Sequence, residues 1–245
     1  MCFRCFLAIL FFLGTMPLMH FGHACTAEEK PEKLVYVLFD LSGSTVKQRE
    51  IYIKWFDRIL DSLRPGDRIA VEAIDARSAV NATYPVNRAL PAYSSWKDNL
   101  LVYRKKMLNI KKEIRDKADT LLNCKGSGST EIMSALLPAQ QLFQSYPEYS
   151  RKILVVMSDM VEDSPNYNFE KYPPGEKRTK KIISLEKKKN RLPSLTGVKI
   201  YAAGAGGKSS GHMIILKSFW MKYFSACGAN LQAGNYGAGL ARFAE

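Results

Sequence analysis

Apolar residues along this chain follow two alternating rhythms. Residues 34–39 (LVYVLF) and 153–157 (ILVVM) are unbroken apolar runs, followed at once by Asp40 in the first case and by Ser158-Asp159 in the second. Short runs of this kind, bounded by turn-forming residues, predict strands covered on both faces. Residues 68–76 and 198–204 predict two further strands, and 229–243 a final edge strand. Between them the period changes to that of a helix. Ile51, Ile53, Trp55, Phe56, Ile59, Leu60 and Leu63 form one stripe over 48–63. Residues 96–122 predict a long charged helix with Leu100, Val102, Met107, Ile110 and Ile114 on its inner side. Helices are also expected over 131–143, 176–191 and 211–226, where Phe219, Trp220, Tyr223 and Phe224 recur at core spacing. This alternation predicts an α/β fold, with a doubly wound, mostly parallel central sheet flanked by helices.

The candidate chemistry lies just past the strands. Asp40 opens the spacing Asp-x-Ser-x-Ser, which places Asp40, Ser42 and Ser44 at alternate positions in a turn that Gly43 allows to curl. Thr130 stands at the junction between Gly128-Ser129 and the 131–143 helix. Asp159 follows the 153–157 strand, and in a parallel sheet it emerges on the same edge as Asp40, where open α/β sheets bind ligands. Two carboxylates and three hydroxyls are hard oxygen donors suited to Mg²⁺ or Mn²⁺, with Ca²⁺ a further option. The bland reading of the first motif is a strand followed by a Ser-rich turn that caps a helix.

Asp40-x-Ser42-x-Ser44, then Thr130, then Asp159 resembles the von Willebrand factor type A (vWA) domain and its metal-ion-dependent adhesion site. Arg64-Pro65-Gly66-Asp67-Arg68-Ile69-Ala70-Val71 also looks like that family's link from first helix to second strand. The resemblance runs from residue 34 to about 230. It implies a non-enzymatic interaction or adhesion module, in which a cation held by Asp40, Ser42, Ser44, Thr130 and Asp159 binds an Asp or Glu of a protein partner. The alternative is a metal-dependent hydrolase using the same acids, with Glu162 or Asp163 as its base. Two departures stand out: Met160 where the family often has Gly, and a long helical insertion over about 84–124.

Charge and the N-terminus bear on partners and location. The formal balance is +13 over 245 residues, 47% of them hydrophobic, which is enough to bury one sizeable core. Basic residues concentrate over 104–117 and in the Lys-rich helix 176–191; the bland reading is two solvated helix faces, and the alternative is an acidic partner, such as an acidic envelope component met by the 176–191 helix. Nucleic acid is disfavoured as a partner, because residues 1–27 read as a signal peptide: Arg4, an apolar run, then Ala24 and Ala27 as small cleavage-site residues. That leaves 28–245 as a single vWA-like domain, secreted or held in the periplasm or cell envelope. An uncleaved anchor or a lipidated Cys25 is the less favoured alternative. A processed chain keeps one histidine, His212, expected at a surface or capping position. It keeps two cysteines, Cys124 and Cys227, either paired or free. The glycine cluster 204–207 is expected to be a strand-to-helix turn rather than a phosphate cradle, since it lacks the Lys-Ser/Thr ending of a P-loop.

Export of this kind predicts a mature N-terminus within about residues 25–28. N-terminal sequencing of protein from the producing cell measures it, and an intracellular product starting at Met1 would contradict it.

Overall fold

The computed structural model describes residues 32–74, 83–241 and 243. The expected leader 1–27 lies outside them, as do residues 75 and 76 of the second expected strand.

Within the described residues, six strands form one sheet: β1 (Lys33–Asp40), β2 (Arg68–Ile74), β3 (Val86–Ala89), β4 (Arg151–Met157), β5 (Lys199–Ala203) and β6 (Asn230–Gly237). All eight residues of β1 are buried, so this strand can only stand at the centre, between two covering layers. The order is β3-β2-β1-β4-β5-β6, parallel throughout except for β3, which runs antiparallel along the edge of β2. Strand alternation splits the core in two. Leu34, Tyr36 and Leu38 face one layer, which holds α3 (Ile132–Ser145), α4 (Glu176–Lys188) and α5 (Ser210–Ala226). Val35, Val37 and Phe39 face the other, with α1 (Arg49–Ser62) and α2 (Leu100–Leu122). This is the doubly wound α/β architecture that the alternation predicts.

Three local differences have physical causes. The expected helical insertion opens with a strand, because β3 (sequence VNRA) satisfies the free edge of β2 while exposing three of its four side chains. That composition carries no apolar signal. In α2, Ile114, Ala118 and Leu122 are buried and Met107 and Ile110 lie half-covered on the core, but Leu100 and Val102 face solvent at 43% and 66% exposure. The inner stripe therefore starts a turn or more later than expected. The last strand ends at Gly237, after which Leu240, Ala241 and Phe243 fold back onto the α1–α2 layer.

The turn from α1 into β2 shows how the sheet is registered. Gly66 adopts φ +84°, and Asp67 is wholly buried. Its carboxylate accepts the Lys33 N–H at 2.9 Å and the Arg64 N–H at 2.8 Å, so one side chain ties the turn to the first residue of β1. Replacing Asp67 by Ala leaves two buried N–H groups without that acceptor and removes the carboxylate 3.9 Å from the buried Lys33 ammonium. The expected cost is about 3 kcal/mol. Urea denaturation measures it as a lower midpoint at unchanged slope.

Candidate functional site

After β1 the chain crosses to the α1 layer, and after β4 it crosses to the α4 layer. Neighbouring parallel strands whose connections part in this way leave a crevice beyond their C-terminal ends. Phe39 is in register with Met157, so the next residues, Asp40 and Ser158, come out side by side.

Asp40 is fully buried at the base of this crevice. Its Oδ1 accepts the Ser42 N–H at 2.8 Å and its Oδ2 accepts the Ser158 hydroxyl at 2.6 Å. Burial pushes its pKa up to about 6; the hydrogen bonds from Ser158 and Ser42 oppose the shift, and the charge of Asp159 reinforces it. Above it, Ser42 Oγ lies 3.1 Å from Ser44 Oγ, which donates to Asp159 Oδ2 at 2.6 Å. The other Asp159 oxygen accepts the Val161 N–H, and its carbonyl accepts the Gly206 N–H. Thr130 enters from the third side. A two-way backbone pairing with Asp163, at 2.8 and 2.9 Å, fixes it there.

Ser42, Ser44, Thr130 and Asp159 thus line one open cleft of about 650 Å³, while Asp40 sits behind it. The 2.6 and 3.1 Å separations are hydrogen-bond distances within a cluster of hard oxygen donors, the ligand type that Mg²⁺, Mn²⁺ and Ca²⁺ share. Among the described residues no three His, Cys, Asp or Glu side chains cluster in a way that could hold a metal ion, and the oxygens lining the cleft include the Ser42, Ser44 and Thr130 hydroxyls and the Asp159 and Asp163 carboxylates.

The loop after Asp159 is held in an unusual shape. Met160 takes φ +63°, the left-handed region that a branched Cα adopts at a cost of about 1–2 kcal/mol. Its N–H donates to Ser158 Oγ, and its carbonyl accepts the indole N–H of the buried Trp220 at 2.8 Å. Nearby, Gly204 has φ +92°, and a Cβ there would meet the Tyr52 hydroxyl at 2.9 Å. The glycine cluster is therefore a close-packed turn, with the Gly206 amide engaged by Asp159.

Glu162 does not face the cleft. It is 1% exposed and borders a separate cavity of about 40 Å³. Its carboxylate accepts the Met133 N–H at the start of α3 at 3.0 Å, and burial pushes its pKa up to about 8. Asp163 does line the cleft, with its Oδ1 accepting from Asn168. His212, 7% exposed, accepts the Lys208 N–H at Nδ1 and contacts the Phe169 carbonyl through Nε2. A carbonyl only accepts, so Nε2 carries the proton and both ring nitrogens are engaged by backbone. Cys124 is exposed and Cys227 buried, and both thiols are free. Lys187–Lys189 precede the N-terminal end of β5, at the opposite edge of the sheet from the cleft. Ser158 is the functional neighbour that sequence reasoning missed. The available signal was a hydroxyl at the end of a buried run, one residue past the position in register with Phe39.

The class that emerges is an open, doubly wound sheet with a hydroxyl–carboxylate cleft at its switch point. No family model and no curated relative matches the sequence. Among solved structures, the chain is similar to a von Willebrand factor type A protein from Catenulispora acidiphila (14% identity, TM-score 0.45, covering 82% of this chain and 38% of that one). It is also similar to the pilus adhesin SpaC from Lactobacillus rhamnosus GG (12%, 0.46, 80% and 27%), and to the human COPII-coat protein Sec24c (11%, 0.39, 87% and 30%). The chain thus spans less than two-fifths of each of these chains. Likeness at this level carries no argument about activity, and the fold assignment rests on the strand order.

Asp40 and Glu162 make stability pH-dependent with one sign. Their folded pKa values lie above the ordinary 3.8 and 4.5, so the unfolded chain gives up these protons at lower pH than the folded one. The contribution is fully present below about pH 4 and is lost as pH rises, through about 6 for Asp40 and about 8 for Glu162. Thermal denaturation in EDTA should show the midpoint falling from pH 5 to 8. Glu162→Gln should flatten the upper half of that fall.

Proposed function

We propose that this chain is an exported, non-enzymatic interaction module of the vWA type. In this reading Asp40, Ser42, Ser44, Thr130 and Asp159 hold Mg²⁺ or Mn²⁺, and an Asp or Glu of a protein partner completes the coordination. The observation that supports it most is the meeting of Ser44 Oγ and Asp159 Oδ2 at 2.6 Å across 115 residues of sequence, over a buried Asp40. Asp40 acts from behind, orienting the Ser42 turn and adding charge beneath it. A cation held there would supply the positive charge that two neighbouring carboxylates lack.

The hydrolase alternative needs a base facing the cleft. Glu162 is turned beneath α3 and His212 is engaged on both nitrogens, which leaves Asp163 for that role. No helix among the described residues is long and apolar enough to cross a membrane.

Calorimetry should give weak Mg²⁺ binding, with Kd of about 0.1–1 mM, the range of sites with few charged ligands. Asp40→Ala and Ser44→Ala should each abolish the heat while leaving the circular dichroism spectrum intact. Equal Mg²⁺ affinity in Asp40→Ala would sink the assignment. Phosphate-ester turnover lost in Asp163→Asn would establish the hydrolase instead.

A further inference from the structure

The N-terminal half of α2 carries a surface that the cleft does not use. Trp96 is 80% exposed, Leu101 74%, Val102 66% and Leu108 69%. The inner side of the helix is already occupied, with Ile114, Ala118 and Leu122 buried against the α1 layer. Helical spacing puts Leu101, Leu108 and Lys112 on one outward face, with Arg104 and Lys105 on either side of it, each three or four residues from both leucines. From Asn99 to Lys112 the sequence has five basic residues and no acidic one; Arg104, Lys105, Lys106 and Lys112 are exposed, while Lys111 turns inward and donates to the Leu63 carbonyl at 3.0 Å. Just before the helix, the Lys97 ammonium stands 4.2 Å from the Trp96 ring centroid.

We infer that this face of α2 docks on an anionic lipid bilayer. The interleaving of apolar and cationic side chains selects that occupant. A groove on a protein partner would have to bury cationic heads beside leucines at one depth. A bilayer interface takes them at different depths, with Leu and Trp below the headgroups and Lys and Arg stems reaching up to phosphate. Between Asp98 and Glu113 no acid lies on this face to repel an anionic leaflet, and Asp116 just beyond is already paired with Lys112 at 2.6 Å. The inference is independent of the cation reading, since none of these residues lines the cleft.

The chain has three tryptophans, and Trp55 and Trp220 are buried at 7% and 0% exposure. Trp96 emission therefore reports this face. With vesicles of equal parts phosphatidylcholine and phosphatidylglycerol, emission should shift to the blue and become quenchable by brominated lipid. Trp96→Phe should abolish the shift. Leu101→Ser and Leu108→Ser should each weaken it about tenfold in lipid concentration, and Lys105→Gln with Lys112→Gln should do so in low salt. Unchanged Trp96 emission on these vesicles would overturn the inference. So would an equal shift on pure phosphatidylcholine. A shift produced as well by soluble polyglutamate and indifferent to the leucine changes would assign the face to an acidic protein instead.

Discussion

A carboxylate enclosed at the end of the central strand organises everything around it. Asp40 is buried, so protein dipoles must stabilise its charge. The two nearest are the Ser42 N–H and the Ser158 hydroxyl, which belong to the loops leaving β1 and β4. One buried charge thereby joins two crossovers that depart to opposite faces of the sheet. Burial outweighs these two donors and holds its pKa up, and the charge of the neighbouring Asp159 adds to the shift. Such a site stores a deficit of positive charge at the mouth of the switch point.

The loops that complete the cleft are held by the core rather than by one another. Trp220, in the middle of the buried aromatic row of α5, fixes the Met160 carbonyl and so the left-handed turn that aims Asp159. Gly204 lets the β5 turn pass close over Tyr52, and Gly206 then fastens to the Asp159 carbonyl. Glu162 closes the far side by capping α3. Strain at Met160 is tolerable only because buried partners on both sides over-determine its conformation.

The 84–124 segment is tied into the same framework. Arg49, at the start of α1, donates to the Leu122 and Cys124 carbonyls at the end of α2 and to the Leu41 carbonyl beside Asp40. Gly126 passes so close to that carbonyl that a Cβ there would lie 2.2 Å from it. The end of α2 and the Asp40 loop are thus parts of one hydrogen-bonded junction, while the start of α2 extends to the outer surface.

By itself the sequence determined the parts whose signal is local. Unbroken apolar runs can only be central strands, a stripe at helical spacing can only cover them, and an acid just past each run must emerge at a strand end. The fold class, the spacing from Asp40 to Ser44 and the positions of Thr130 and Asp159 follow from that. Tertiary structure alone decided the rest, because it depends on pairings between distant residues. The four residues of β3 have no apolar pattern and become a strand only because β2 has a free edge. Leu100 and Val102 match the helical stripe yet stay exposed, because the core beneath α2 begins a turn later. Glu162 and Asp163 are equivalent in sequence, and the start of α3 draws one inward while Thr130 holds the other at the cleft. Ser158 gains its role only when parallel register sets it beside Asp40, since hydrogen bonding of a buried charge depends on which strand ends lie together.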